Sequence, residues 1–279
     1  MSAADEALAW SEPFLAEARS RLARAFPLAT IDREWAWGGA TGAGVTVAIV
    51  DSGLEVDHPM LRGRVIESVA VEMVEGEPQV VGNDLAGDMF GHGTACGSII
   101  LSLAPDVDLV SVRVLGGDLR GKGAAFARGL EWTVERGVQV ANLSLSSKSE
   151  ALFPIFHEIV DEAYFKSVAL VSAANNVPGA SYPSLFSSVF SVAAHDVPDP
   201  WHFYYNPSPP VEFGAWGVQV PTAWKDRGTM SAVGNSFAAP HIAGLVALIL
   251  SKHPGLTPFE VKAILAAVAD NPREAASAG

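Results

Sequence analysis

Short β-branched runs alternating with helix-like runs predict an α/β fold in three layers, with a mostly parallel central sheet covered by helices on both faces. Two further observations fit that class. The chain has 279 residues, 49% of them hydrophobic, enough for one large domain with an ample core. An acid, Asp51, stands directly after the first strand-like run, at the carboxyl edge where such sheets gather their active residues.

The opening "MSAADEALAWSEPFLAEARSRLARAF" reads as an amphipathic helix and lacks a basic segment followed by an apolar one. Residues 1–34 are therefore assigned to a helical extension, 35–270 to the main domain and 271–279 to a frayed tail. The strand-like runs are "VTVAIV", "DLVSVRVL", "VQVANLSL", "VALVSAA" and "VFSVAA". Between them lie the helix-like "GTACGSIILSL", "AAFARGLEWTVERG" and "FPIFHEIVDEAYFKS". The Pro- and aromatic-rich stretch from about 196 to 233 breaks the pattern and reads as loop with short strands. The last helix starts at "LTPFEVKAIL", with Thr257 as cap and Pro258 at the first helical position.

The net charge of −13 argues against nucleic acid as a partner, because phosphates call for Lys and Arg. No stretch is long and apolar enough to span a membrane; the best, "HIAGLVALILSKHPG", is short. The single cysteine, Cys96, excludes an internal disulfide and fits a reducing compartment. The chain is expected to be cytoplasmic, with no metal or other cofactor; Asp196 and Asp199 share a loop, but isolated surface carboxylates are usually solvated.

Four polar motifs interrupt the apolar pattern. In "AIVDSGLEVDHPML", Asp51 is either a rigidly held acid or an Asx-turn residue. Asp57 and His58 nearby read as turn and packing residues. In "FGHGTACGSII", His92 opens a helix between Gly91 and Gly93, which allow close backbone approach. The helix N-terminus favours a neutral imidazole there. In "LVSAANNVPGA", a strand ends in Asn175-Asn176, either an oxyanion donor or a turn. In "GNSFAAPHIAGLVALIL", Ser236 caps a helix or aims that helix at a reacting atom; Pro240 and His241 do not suit simple capping.

Together "VAIVDSG", "GHGTACG", "VANLSLS", "SAANN" and "GNSFAAPHIAGLVALILSKHP", in the order Asp…His…Ser, resemble the subtilisin-like serine proteases, from about Trp35 to about Ala267. The resemblance implies the subtilisin-like form of the three-layer fold and a serine endopeptidase working through an acyl-enzyme. It implies Ser236 as nucleophile, His92 as general base and acid, and Asp51 as the residue orienting His92. Asn176 and the Ser236 N–H would form the oxyanion hole. Ser144, Leu145, Ser146, Ala173, Ala174 and the glycines Gly116 and Gly117 would line the substrate edge, where a peptide or unfolded protein adds as a strand. The oligomeric state stays open. Only about 35 residues precede the matching stretch, too few for the family's pro-domain, which implies an intracellular enzyme; a protease dedicated to processing small precursors is a close variant of that reading.

The departures keep a second reading open, a weak or inactive pseudoprotease that binds peptides. Asn235 replaces the family's Thr before the nucleophile, and Ser146-Ser147 replace its Gly-Gly at a wall of the specificity pocket. Cys96, one turn beyond His92, reads as a small buried apolar residue. "GTACGSIILSLAPDVDLVSV" leaves no room for the calcium loop that many relatives insert after the His-bearing helix.

Overall fold

The computed structural model describes residues 30–82, 87–208 and 210–272. Most of the extension expected as an amphipathic helix, and the tail beyond Pro272, lie outside the described residues. Among those described, no helix is long and apolar enough to cross a membrane.

Nine strands form one sheet in the order β3-β2-β4-β1-β5-β6-β7-β9-β8. The middle seven are β1 (Thr46–Asp51), β2 (Val65–Val74), β4 (Asp108–Arg113), β5 (Val140–Leu143), β6 (Ala169–Ala173), β7 (Phe190–His195) and β9 (Phe213–Trp216). All neighbouring pairs among them are parallel. At the two edges, β3 (Glu77–Val81) and β8 (Phe203–Tyr205) pair antiparallel. A separate hairpin joins β10 (Val218–Trp224) to β11 (Gly228–Val233).

Parallel pairs need crossovers, and α2 (His92–Leu103), α3 (Gly123–Arg136) and α4 (Phe153–Phe165) lie in the connections between β3 and β4, β4 and β5, and β5 and β6. Helix α1 (Arg33–Trp37) precedes β1, and α5 (Asn235–Lys252) and α6 (Pro258–Val268) follow β11. As the sequence predicts, Thr257 and Glu260 form a capping box with Pro258 at the first position of α6. The five apolar runs become β1, β4, β5, β6 and β7, and the three helix-like runs become α2, α3 and α4. The hairpin β2–β3 is not found by a search for unbroken apolar runs. It turns through Glu75 and Gly76, both at positive φ, and the half-buried acids Glu67 and Glu72 flank buried Val69, Ala70 and Val71.

Alternation along β1 decides what lies on each face. Val47 and Ile49 join the core beneath α1, α2, α5 and α6, whereas Ala48 and Val50 join the core beneath α3 and α4. By the same period of two, Asp51 points to the side that α2 and α5 occupy. Helix α5 is a core element: all residues from Phe237 to Leu250 are buried. Helix α1, capped by Asp32, packs into the same core through Ala36 and Trp37. Asn271, expected in the frayed tail, instead exchanges two hydrogen bonds with the Tyr205 backbone, 2.7 and 2.6 Å.

Helix α2 starts unusually close to the end of β1. A methyl built on Gly93 would lie 2.1 Å from the Gly53 carbonyl oxygen and 3.3 Å from Asp51 Cβ. Gly93→Ala should therefore push the helix start away from the strand. The expected result is a loss of about 3 kcal/mol of stability in urea unfolding and an activity loss larger than stability accounts for. An alanine variant with native stability and turnover would contradict this packing.

Candidate active site

Asp51 is fully buried at the end of β1, and His92 is 7% exposed at the first position of α2. The His92 Nδ1 lies 2.9 Å from both carboxylate oxygens of Asp51. A carboxylate only accepts, so the proton sits on Nδ1 and Nε2 is left with a lone pair. Nε2 accepts from the Ser236 hydroxyl at 3.0 Å. Asp51 Oδ1 also accepts from the Ser52 N–H at 2.7 Å. Three side chains expected to act together thus form one hydrogen-bonded row, able to pass a proton from hydroxyl to imidazole.

The row is braced by residues that the sequence reading does not single out. Asp88 accepts from Ser52 Oγ at 2.8 Å, from the Phe90 and Gly91 N–H groups at 3.0 and 2.6 Å, and from Thr94 N–H and Oγ at 2.9 and 2.5 Å. It caps α2 while tying that helix to the turn after β1. Ser52 Oγ completes the tie by accepting from the Gly93 N–H at 3.1 Å. An acid shortly before a helix start is a legible capping signal; its bond to Ser52 is not. His58 is a packing residue, as expected: Nδ1 accepts from the Met60 N–H and Nε2 lies 3.0 Å from the Gly228 carbonyl.

Ser236 sits in the first turn of α5. Pro240 has no N–H to return to the Ser236 carbonyl, so that acceptor is freed from the helix ladder. The Ser144 hydroxyl donates to it at 2.8 Å, and the Cys96 thiol approaches at 3.7 Å. Ser144 Oγ accepts from Asn142 Nδ2 at 2.9 Å and from the Cys96 thiol at 3.3 Å. A buried polar group at Asn142, inside the run "VQVANLSL", is the signal that could have announced this. Gly234, at φ 152°, turns the chain from β11 into α5 through a region that side chains rarely adopt.

A cleft of about 260 Å³ opens beside this row, lined by His92, Leu115, Leu119, Ser144, Leu145, Ser146, Ala173, Ala174, Asn175, Asn176 and Ser236. Of the residues named for the substrate edge, Ser144, Leu145, Ser146, Ala173 and Ala174 are in this lining. Gly116 and Gly117 do not line it. The Gly116 N–H and carbonyl close a turn with Arg120 and Leu119, and that turn presents Leu115 and Leu119 instead. Asn175 folds back to accept from the Val177 N–H at 2.9 Å, while Asn176 faces the cleft. Asn176 Oδ1 accepts from the Asn235 N–H at 2.9 Å. A backbone N–H can only donate, which fixes Nδ2 as the amide group turned the other way. A methyl built on Gly234 would lie 3.4 Å from Ser236 Oγ and 3.6 Å from that Nδ2, so both groups flank the same glycine. The Ser236 N–H has no acceptor among the described residues.

The electrostatics differ from the expectation of an imidazole kept neutral by the helix N-terminus. Burial, the largest single influence, pushes His92 down; the Asp51 carboxylate, its hydrogen bond and the neighbouring Cys96 together more than offset it and hold His92 well above the ordinary histidine value. Cys96, pushed up by burial, stays a neutral thiol under the helix. His241 is pushed down to about 4 by burial, stays neutral and lies 3.1 Å from the Phe237 carbonyl.

The model of the subtilase family matches residues 42–278. The chain belongs to the subtilase family. Subtilisin DY of Bacillus licheniformis is 32% identical over 248 residues, covering 84% of this chain and 86% of the relative. Subtilisin BL of Lederbergia lenta is 33% identical over 235 residues, covering 80% and 82%. The crystal structure of a cold-adapted subtilisin-like serine proteinase superposes with a TM-score of 0.68 at 26% identity, covering 83% of this chain and 86% of that one. The fold is accordingly subtilisin-like, and this subtilase is a serine endopeptidase.

For His92 to act as the expected base in this subtilase its imidazole must be neutral, and it keeps its proton to higher pH than an ordinary histidine. The acid limb of kcat/KM should therefore have its midpoint above about 6.5. Asp51→Asn, which leaves burial alone, should move that limb to lower pH and cut kcat by about 10⁴-fold. The same shift stabilises the fold fully below about pH 6.5 and is lost as pH rises through the His92 value. A wild-type limb at or below pH 6 would contradict the Asp51 effect. Ser144→Ala strands the Ser236 carbonyl and should cost about 1–3 kcal/mol in urea unfolding; unchanged stability would show that the carbonyl is otherwise satisfied.

Proposed function

We propose that this subtilase cleaves peptide bonds with Ser236 as nucleophile, His92 as general base and then general acid, and Asp51 holding the imidazole in its working tautomer. The observation that carries the reading is the unbroken row Asp51–His92–Ser236, at 2.9 and 3.0 Å. In the first step Oγ bonds to the scissile carbonyl carbon and its proton moves to Nε2. The resulting imidazolium faces a buried carboxylate, which stabilises it. The oxyanion is received by the Ser236 N–H and Asn176 Nδ2, with the positive end of α5 adding to the field. His92 then gives its proton to the leaving amine, and water resolves the acyl-enzyme by the reverse relay.

Substrates in this reading are peptides or unfolded protein segments, small precursors among them, because an extended chain can lie along Ser144–Ser146. Nucleic acid is no partner in it, since the protein carries a net charge of −13. We place the reaction in the cytoplasm; the buried, unpaired Cys96 is in keeping with a reducing compartment. A peptide-binding module without catalysis would need no hydroxyl within reach of a buried imidazole–carboxylate pair.

The test is a fluorophosphonate probe followed by a peptide library read by mass spectrometry. Wild type should label on Ser236 and cleave; Ser236→Ala should do neither while still folding. Peptide binding by a wild type that never labels would favour the non-catalytic reading.

A further inference from the structure

Position 235 is where this chain departs from the family's Thr beside the nucleophile, and its side chain makes three hydrogen bonds. Asn235 Oδ1 accepts from the Ala194 N–H at 2.9 Å. Its Nδ2 donates to the Ala174 carbonyl at 3.1 Å and to the Asn175 carbonyl at 3.3 Å. Both amide protons are thus directed at main-chain carbonyls, and neither is available to a developing oxyanion. Asn235 cannot serve as the secondary donor that a hydroxyl at this position would offer.

What it does reach is the strand end that carries Asn176. The three side-chain bonds join the last residues of β7 to the segment following β6, and the Asn235 N–H holds Asn176 Oδ1 at 2.9 Å. Asn176 itself is exposed, and this is its one side-chain hydrogen bond among the described residues. A solvent-facing amide with no such bond rotates freely, and a donor that must reorganise during the reaction gives up most of its value.

We propose that Asn235 is a positioning residue for the oxyanion site: it clamps the backbone at Ala174, Asn175 and Ala194 and fixes which face of the Asn176 amide meets the reacting carbonyl. This rests on Asn176 being an oxyanion donor. The charge it orients exists only in the transition state, so its removal acts on kcat and leaves KM almost untouched. Asp at 235 keeps the acceptor for Ala194 but sets carboxylate lone pairs against two carbonyls, and it should loosen the clamp without changing side-chain size.

The test is a double-mutant cycle of Asn235→Ala and Asn235→Asp with Asn176→Ala, with kcat taken per active site titrated by a fluorophosphonate probe. Titration restricts the measurement to folded enzyme. Asn176→Ala should lower kcat by about 100–1000-fold, and each Asn235 variant alone by about 10–100-fold, with KM near that of wild type. In the Asn176→Ala background, the Asn235 substitutions should cost no more than about threefold further. Losses that multiply across the cycle would overturn the proposal and leave Asn176 as a donor. Wild-type kcat in Asn176→Ala would overturn the oxyanion reading, and the proposal with it.

Discussion

The first turn of α2 rests so close to the end of β1 that no side chain fits at Gly93. That approach brings the imidazole of His92 onto both oxygens of Asp51. Neither residue could be where it is without the other element. The carboxylate sits at the end of a buried parallel strand, out of water and unable to move. The imidazole is carried by a helix whose start is pinned through Asp88 and Ser52. A buried charge is tolerated when it is hydrogen-bonded and paired. Here the pairing also lifts the proton affinity of His92, which burial alone would lower.

Ser236 is held by a different device. A proline inside a helix removes one backbone bond, and in α5 the bond removed is the one that would occupy the Ser236 carbonyl. The freed oxygen turns to Ser144, at the end of β5. The serine is therefore fixed on its carbonyl side by the sheet and at its hydroxyl by His92. Its own N–H is left open toward the cleft. Pro240, which reads as a disturbance in a helix, is the reason that β5 and α5 share a polar contact at the point where chemistry is done.

Much of this is legible in the sequence, for identifiable reasons. Five apolar runs become strands because parallel strands buried on both faces cannot hide their composition. The capping box at Thr257 is local and needs no tertiary knowledge. Asp51 and Asn176 stand out as polar residues where strand-like runs end, and His92 and Ser236 as polar residues where apolar helices begin. The β2–β3 hairpin escapes because edge strands mix acids with aliphatics. Gly116 and Gly117 lie outside the cleft that the other expected residues line, because the turn that spends the Gly116 amide depends on residues up to Arg120. The helix-end argument for His92 fails because it omits a partner 41 positions away in the chain.

Helix α5 carries Ser236 and, from Phe237 to Leu250, fills the core between the sheet and α2. The reactive centre and the hydrophobic interior are thus completed by one and the same segment, late in the chain. A chain cut off before α5 would lose Ser236 and, in the same stroke, the largest share of the cover over one face of its sheet, leaving α1 and α2 alone upon it.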